Sequence, residues 1–221
     1  MKTYAVRMTA LSQNEQTESG WNYRSLDQAL EDVSRRLEEL MTGKDTDHIL
    51  ILERQTSRKK DEEDEVNTEL IRIVMTRTQG KPVYEGMIYL NQCDDFEKMI
   101  LVGSDGASRI GEYSILIETQ NQKMSCFYPA LDELLAAISQ MHDQPQLLHG
   151  RSLVLTHRQE NRKNPVIGEL YYSLNPNGTL RLESYLSTQA QTEDEKKVLA
   201  FIHDEQKQER IADLKLSERK Q

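Results

Sequence analysis

Apolar and polar positions sort this chain into short strands and amphipathic helices. Tyr4, Val6 and Met8 share one parity, as do Tyr113, Ile115 and Ile117, so both segments predict strands with one buried face. Leu26, Leu30, Val33, Leu37 and Leu40 recur at helical spacing, and Leu131, Leu135 and Ile138 repeat the stripe. Each series predicts a helix with a core-facing side. Ser25 followed three positions on by Gln28 has the form of a capping box, while Pro129 leads into the second helix and His142 stands where the first has Leu37. Strand-like runs follow each helix: Leu50 to Glu53, Glu69 to Met75 and Val83 to Tyr89 in one case, Val154 to His157, Glu169 to Leu174 and Thr179 to Leu182 in the other. Asn177-Gly178 and Gln79-Gly80 supply the positive φ angles of tight hairpin turns.

The same strings recur about half the chain apart. Tyr23-Arg-Ser-Leu26-Asp27-Gln-Ala-Leu30 matches Tyr128-Pro-Ala-Leu131-Asp132-Glu-Leu-Leu135 at Tyr, Leu, Asp and Leu, and Arg54-Gln55-x-x-Arg58-Lys59 matches Arg158-Gln159-x-x-Arg162-Lys163. Asp95 to Leu101 and Glu193 to Leu199 read as closing helices. The expected fold class is therefore α+β: a tandem duplication of a β-β-α-β-β-β-α unit, with antiparallel sheets each covered by a helix and related by a pseudo-twofold axis. Residues 1–103 form the first repeat, 104–111 a connecting turn, 112–192 the core of the second repeat and 193–221 a charged C-terminal helix or tail. The sequence leaves open whether the sheets join edge to edge or the helix layers meet.

Composition narrows the function classes. Apolar residues make up 37% and charged residues 29% of the 221 positions, so the core is economical and much of the surface polar. No apolar run reaches the roughly 18 residues of a membrane helix, and Arg7 interrupts the N-terminal segment, so a cytoplasmic protein without a membrane partner is expected. A net charge of −9 disfavours nonspecific nucleic-acid binding unless basic residues cluster locally. Cys93 and Cys126 form no CxxC and predict free thiols in a reducing compartment.

The repeated basic string is where such clustering occurs. Arg54, Gln55, Arg58 and Lys59 in one unit, and Arg158, Gln159, Arg162 and Lys163 in the other, form two candidate cationic tips for phosphates or acidic side chains. The competing reading pairs these arginines with carboxylates of the fold; the acidic run from Asp61 to Glu65, directly after the first tip, favours it. Glu53 and His157, equivalent in the string match, are a candidate acid–base pair. The histidines form no metal-binding pattern and no glycine-rich phosphate loop is present, so no metal or cofactor is expected. The leading expectation is a non-enzymatic binding or adaptor protein presenting a pseudo-symmetric surface to a protein partner. Its alternative is a nucleic-acid binder using the two tips as phosphate clamps, and an enzyme in a cleft between the units ranks third. Monomer and homodimer are both open.

Overall fold

The strand-forming runs pair with one another in one sheet. The computed structural model describes residues 2–11, 16–43, 47–57, 65–78, 80–102, 108–118, 123–141, 148, 150–158, 166–176, 180–185 and 192–218. The elements are β1 (Lys2–Leu11), β2 (Gln16–Tyr23), α1 (Leu26–Thr42), β3 (Asp47–Ser57), β4 (Glu65–Thr78) and β5 (Lys81–Ile88). A 3-10 turn (Leu90–Gln92) then leads to α2 (Asp95–Leu101), β6 (Tyr113–Glu118), β7 (Lys123–Tyr128), α3 (Leu131–Met141), β8 (Arg151–His157), β9 (Val166–Leu174), β10 (Leu180–Tyr185) and α4 (Glu193–Glu218). The strands form a ten-stranded sheet of order β10-β9-β8-β6-β7-β5-β4-β3-β1-β2, antiparallel at every pairing. The protein is thus mixed α+β, and its sheets join edge to edge through β5 and β7.

Within each half the lateral order is the same: β2-β1-β3-β4-β5 and β7-β6-β8-β9-β10. Tyr4 lies opposite Tyr23 and Tyr113 opposite Tyr128, as the string match requires. A register shift occurs between Leu52 and Glu53 in β3 and between Leu155 and Thr156 in β8. These registers correct one alignment. Tyr4 pairs with Arg54 whereas Tyr113 pairs with His157, so the counterpart of Arg54 is His157 and not Arg158. The pseudo-twofold expectation also changes, because a twofold joins like edges and here the fifth strand of one half meets the second of the other. With five strands per half, antiparallel pairing makes β6 run opposite to β1. Keeping the lateral order while reversing strand sense also reverses the helix-bearing face.

That reversal is seen in the two cores. Leu26, Ala29, Val33 and Leu37 of α1 bury against Tyr4, Val6, Leu52 and Ile73, and this core extends under the joint to Leu116 and Phe127. Leu131, Leu134 and Ile138 of α3, with Val198 and Ile202 of α4, bury on the other face against Ile115, Cys126, Leu155 and Leu170, and Met87 of β5 reaches across to them. Opposed residues share a face, so the pairs Gly86–Phe127 and Met87–Cys126 carry the two cores on opposite sides of the joint. A Cβ at position 86 would fall inside the Phe127 ring, which is why β5 needs glycine there. The Tyr128 hydroxyl also crosses the joint and donates to Glu85 Oε1 at 2.9 Å. Ser25 caps α1 as expected, its Oγ accepting from the Gln28 N–H at 3.4 Å, and Gly80 takes φ 79° at the β4–β5 turn. Leu30, Leu40 and Leu135, expected in the core stripe, are only half-buried.

Candidate functional site

Each half closes with a polar node where its last helix meets the sheet. In the first, Asp94 and Glu97 make a reciprocal capping box at α2. Glu97, with no exposed surface, accepts from the Asp94 N–H (2.9 Å), Arg54 Nη1 (2.6 Å) and the Tyr4 hydroxyl (3.1 Å). Burial, then the Glu97 charge, pushes the Tyr4 hydroxyl up to about 12 and keeps it a donor. In the second half Thr192 and Glu195 form the corresponding box at α4. His157 Nδ1 lies 2.7 Å from Asp194 Oδ2, its Nε2 lies 3.5 Å from Glu112, and Tyr113 stacks on its ring with centroids 4.3 Å apart. The Tyr113 hydroxyl donates to Asp194 at 3.3 Å. A strand tyrosine, the strand residue opposite it and a carboxylate from the closing helix thus meet in both halves, although Asp194 aligns with Phe96 and the counterpart of Glu97 is Glu195.

Beside the first node the surface opens. One ridge of α1, formed by Asp27, Glu31, Ser34 and Glu38, faces Ile100 of α2 and the segment Arg109–Ile110 across a cavity of about 420 Å³. Further along α1, sharing Ser34, Glu38 and Ile110, a deeper cavity of about 660 Å³ is bounded by Leu37, Met41, Tyr84, Glu112, Pro129 and Arg158. It lies where the two halves meet. Asp27, Glu31 and Glu38 form no ion pair among the described residues, while Arg35 and Arg36 are taken up by Asp32 and Glu39. Burial works against the Asp32 charge, yet hydrogen bonds from Arg36, Tyr23 and Arg35 hold its carboxyl below the ordinary value. The Arg36 guanidinium also lies 3.1 Å above the Trp21 ring, fixing that tryptophan beside the helix. In the deeper cavity, burial pushes the Tyr84 hydroxyl up to about 12, with Arg158 opposing and Glu112 adding to the shift.

α2 presents an apolar face to solvent next to this groove. Phe96 is 58% and Met99 60% exposed, flanking Ile100, which turns inward. The aligned capping boxes put Asp194 and Lys197 at the equivalent places on α4. There, Asp194 is tied to His157, and Lys197 lies 3.3 Å from Asp132 of α3.

The candidate tips divide. Arg54, 17% exposed, is committed to Glu97, and Gln55 Oε1 accepts from Thr3 Oγ1 at 3.4 Å. Arg158 is exposed: its N–H donates to the Glu112 carbonyl (2.8 Å) and its Nη1 to the Arg109 carbonyl (2.7 Å), with no carboxylate partner among the described residues. Arg58, Lys59, Gln159, Arg162 and Lys163 lie outside the described residues. Glu53 and His157 do not meet, because β3 and β8 are five strand spacings apart, roughly 24 Å. Glu53 instead lies 3.0 Å from Arg7 on the face of the sheet away from α1. Among the described residues no group of three or more His, Cys, Asp or Glu side chains could hold a metal, no helix is long and apolar enough to cross a membrane, and both cysteines are free and buried. Sequence reasoning did not find the groove. Its one signal was in α2, where Met99 and Leu101 point about 160° apart, so Phe96, Met99, Ile100 and Leu101 cannot all face inward.

No protein-family model, curated protein or solved structure matches the chain.

Proposed function

We propose that this protein is a cytoplasmic, non-enzymatic binding or adaptor protein, built by tandem duplication, that docks a protein partner on the α1–α2 side of its first half. The observation that carries the reading is the exposure of Phe96 and Met99 beside a groove, at positions where the second half has Asp194 and Lys197 tied to neighbouring side chains. Shared lateral strand order and matched register shifts support the duplication. On this reading the two copies have diverged, one sealing its helix pair and the other keeping it open. Both buried thiols accord with a reducing compartment. The alternative reading as a phosphate clamp is weakened at one tip by the engagement of Arg54 with Glu97.

The test is the double variant Phe96→Glu, Met99→Glu. A partner recovered with the wild-type protein from its native host, then purified and titrated by calorimetry, should lose affinity for the variant by about tenfold or more, as expected for removing central apolar anchors. The variant's far-ultraviolet circular dichroism and melting temperature should stay unchanged, since both side chains are exposed. Equal affinity for wild type and variant removes this docking face.

A further inference from the structure

Resting on that reading, we propose that the groove along α1 receives the C-terminal segment of the partner: about six or seven extended residues with basic and apolar side chains, whose free α-carboxylate ends at Arg158. The two cavities share Ser34, Glu38 and Ile110 and so lie end to end along one side of α1. From Asp27 to Thr42 the helix rises about 22 Å at 1.5 Å per residue, which an extended chain spans in six or seven residues.

Charge sets the occupant's chemistry. Along the α1 wall, Asp27, Glu31 and Glu38 have no ion-pair partner among the described residues, so this stretch favours cationic side chains. Two arginines also line it: Arg35, which is paired with Asp32 and Glu39, and Arg109 on the facing wall, whose carbonyl is the group that fixes Arg158. Leu30 and Ile100 offer apolar contact in the shallow part, and Leu37, Met41 and Pro129 in the deep part.

At the deep end a single cation, Arg158, stands among the carboxylates of Glu38 and Glu112. Arg158 is anchored through its backbone N–H and one guanidinium nitrogen to two carbonyls, leaving further N–H donors, and the protonated Tyr84 hydroxyl lines the same cavity. A carboxylate there gains a charge-assisted hydrogen bond and offsets a cation that has no carboxylate of its own among the described residues. A small anion alone would meet Glu38 and Glu112 as well. A chain terminus with basic side chains satisfies both ends at once, as in other domains that capture C-termini. At the corresponding place in the second half Lys197 lies 3.3 Å from Asp132 and bridges the two helices.

The experiment uses the full chain and two fluorescein-labelled heptapeptides of alternating leucine and lysine, one a free acid and one a C-terminal amide, read by fluorescence polarisation near physiological salt. The free acid should bind about tenfold tighter than the amide. Arg158→Ala should erase that difference while leaving the circular dichroism intact, and Glu31→Gln with Glu38→Gln should weaken both peptides severalfold. A leucine–glutamate heptapeptide should not compete. Equal binding of acid and amide by the wild type, or no binding of the free acid, overturns the proposal. The docking face is judged separately: if the Phe96, Met99 variant loses the recovered partner while Arg158→Ala keeps it, the face stands and the C-terminal occupant is wrong.

Discussion

Glu97 shows how much one buried charge can organise. It has no exposed surface, yet it accepts from a backbone amide, a guanidinium and a phenol, so its desolvation is offset by bonds from three separate elements. Removing the cation leaves the carboxylate buried without its main counter-charge. Arg54→Ala should therefore cost about 3–5 kcal/mol by chemical denaturation, and adding Glu97→Gln should recover part of that. A loss under about 1 kcal/mol would show that the node does not bear on stability. The arginine was legible in the sequence as a basic residue with an acidic partner, but the partner was not. Glu97 lies 43 positions away and reads locally as a capping residue only; its burial follows from how α2 docks. The structural counterpart His157 was likewise hidden, because the string match sets Arg54 against Arg158 and only the strand registers set it against His157.

At the scale of elements, helix positions were legible and their rotation was not. The apolar series in α1 includes both Leu26–Leu30–Leu37 and Leu26–Val33–Leu37, and Ala29 carries too small a side chain to stand out as core. In the fold Ala29 is fully buried and Leu30 is turned toward the groove, with Leu134 and Leu135 in the same relation on α3. A turn of one residue, about 100°, separates the two faces. Leu134→Ala should cost about 2–5 kcal/mol as a large-to-small core change, whereas Leu30→Ala should cost about 1 kcal/mol or less. Urea denaturation of both variants checks this, and a reversed ranking would mean that the helices present the other side to the sheet. α2 and α4 differ for a physical reason that the matched strings obscure. The chain leaves α2 after Leu101 to enter the second half, while α4 continues and packs over β9 and β10. What α2 leaves uncovered is the groove beside α1.

For the whole molecule the decisive quantity is the number of strands per half. Five is odd, so antiparallel continuation reverses the second half and sends its helices to the opposite face. The β-β-α-β-β-β-α order was readable from hydrophobic parity and turn residues, but the joint was not, since no local pattern says which edges meet. Gly86 and Phe127 are what make them fit. The ring lies over the glycine and belongs to the first core, while Met87 next to it reaches the second, so each core depends on the register of the same three residue pairs. The halves should therefore unfold together, as one calorimetric transition. Gly86→Ala puts a methyl group into the ring's place, and overpacking of this kind costs about 1–3 kcal/mol. Because the strain is located at one contact, Phe127→Ala should lose less in the Gly86→Ala background than in the wild type, giving a coupling of about 1 kcal/mol or more in a double-mutant cycle. Additive losses would show that the ring does not sit over position 86. Two separated transitions in the wild type would show that the joint does not couple the halves at all.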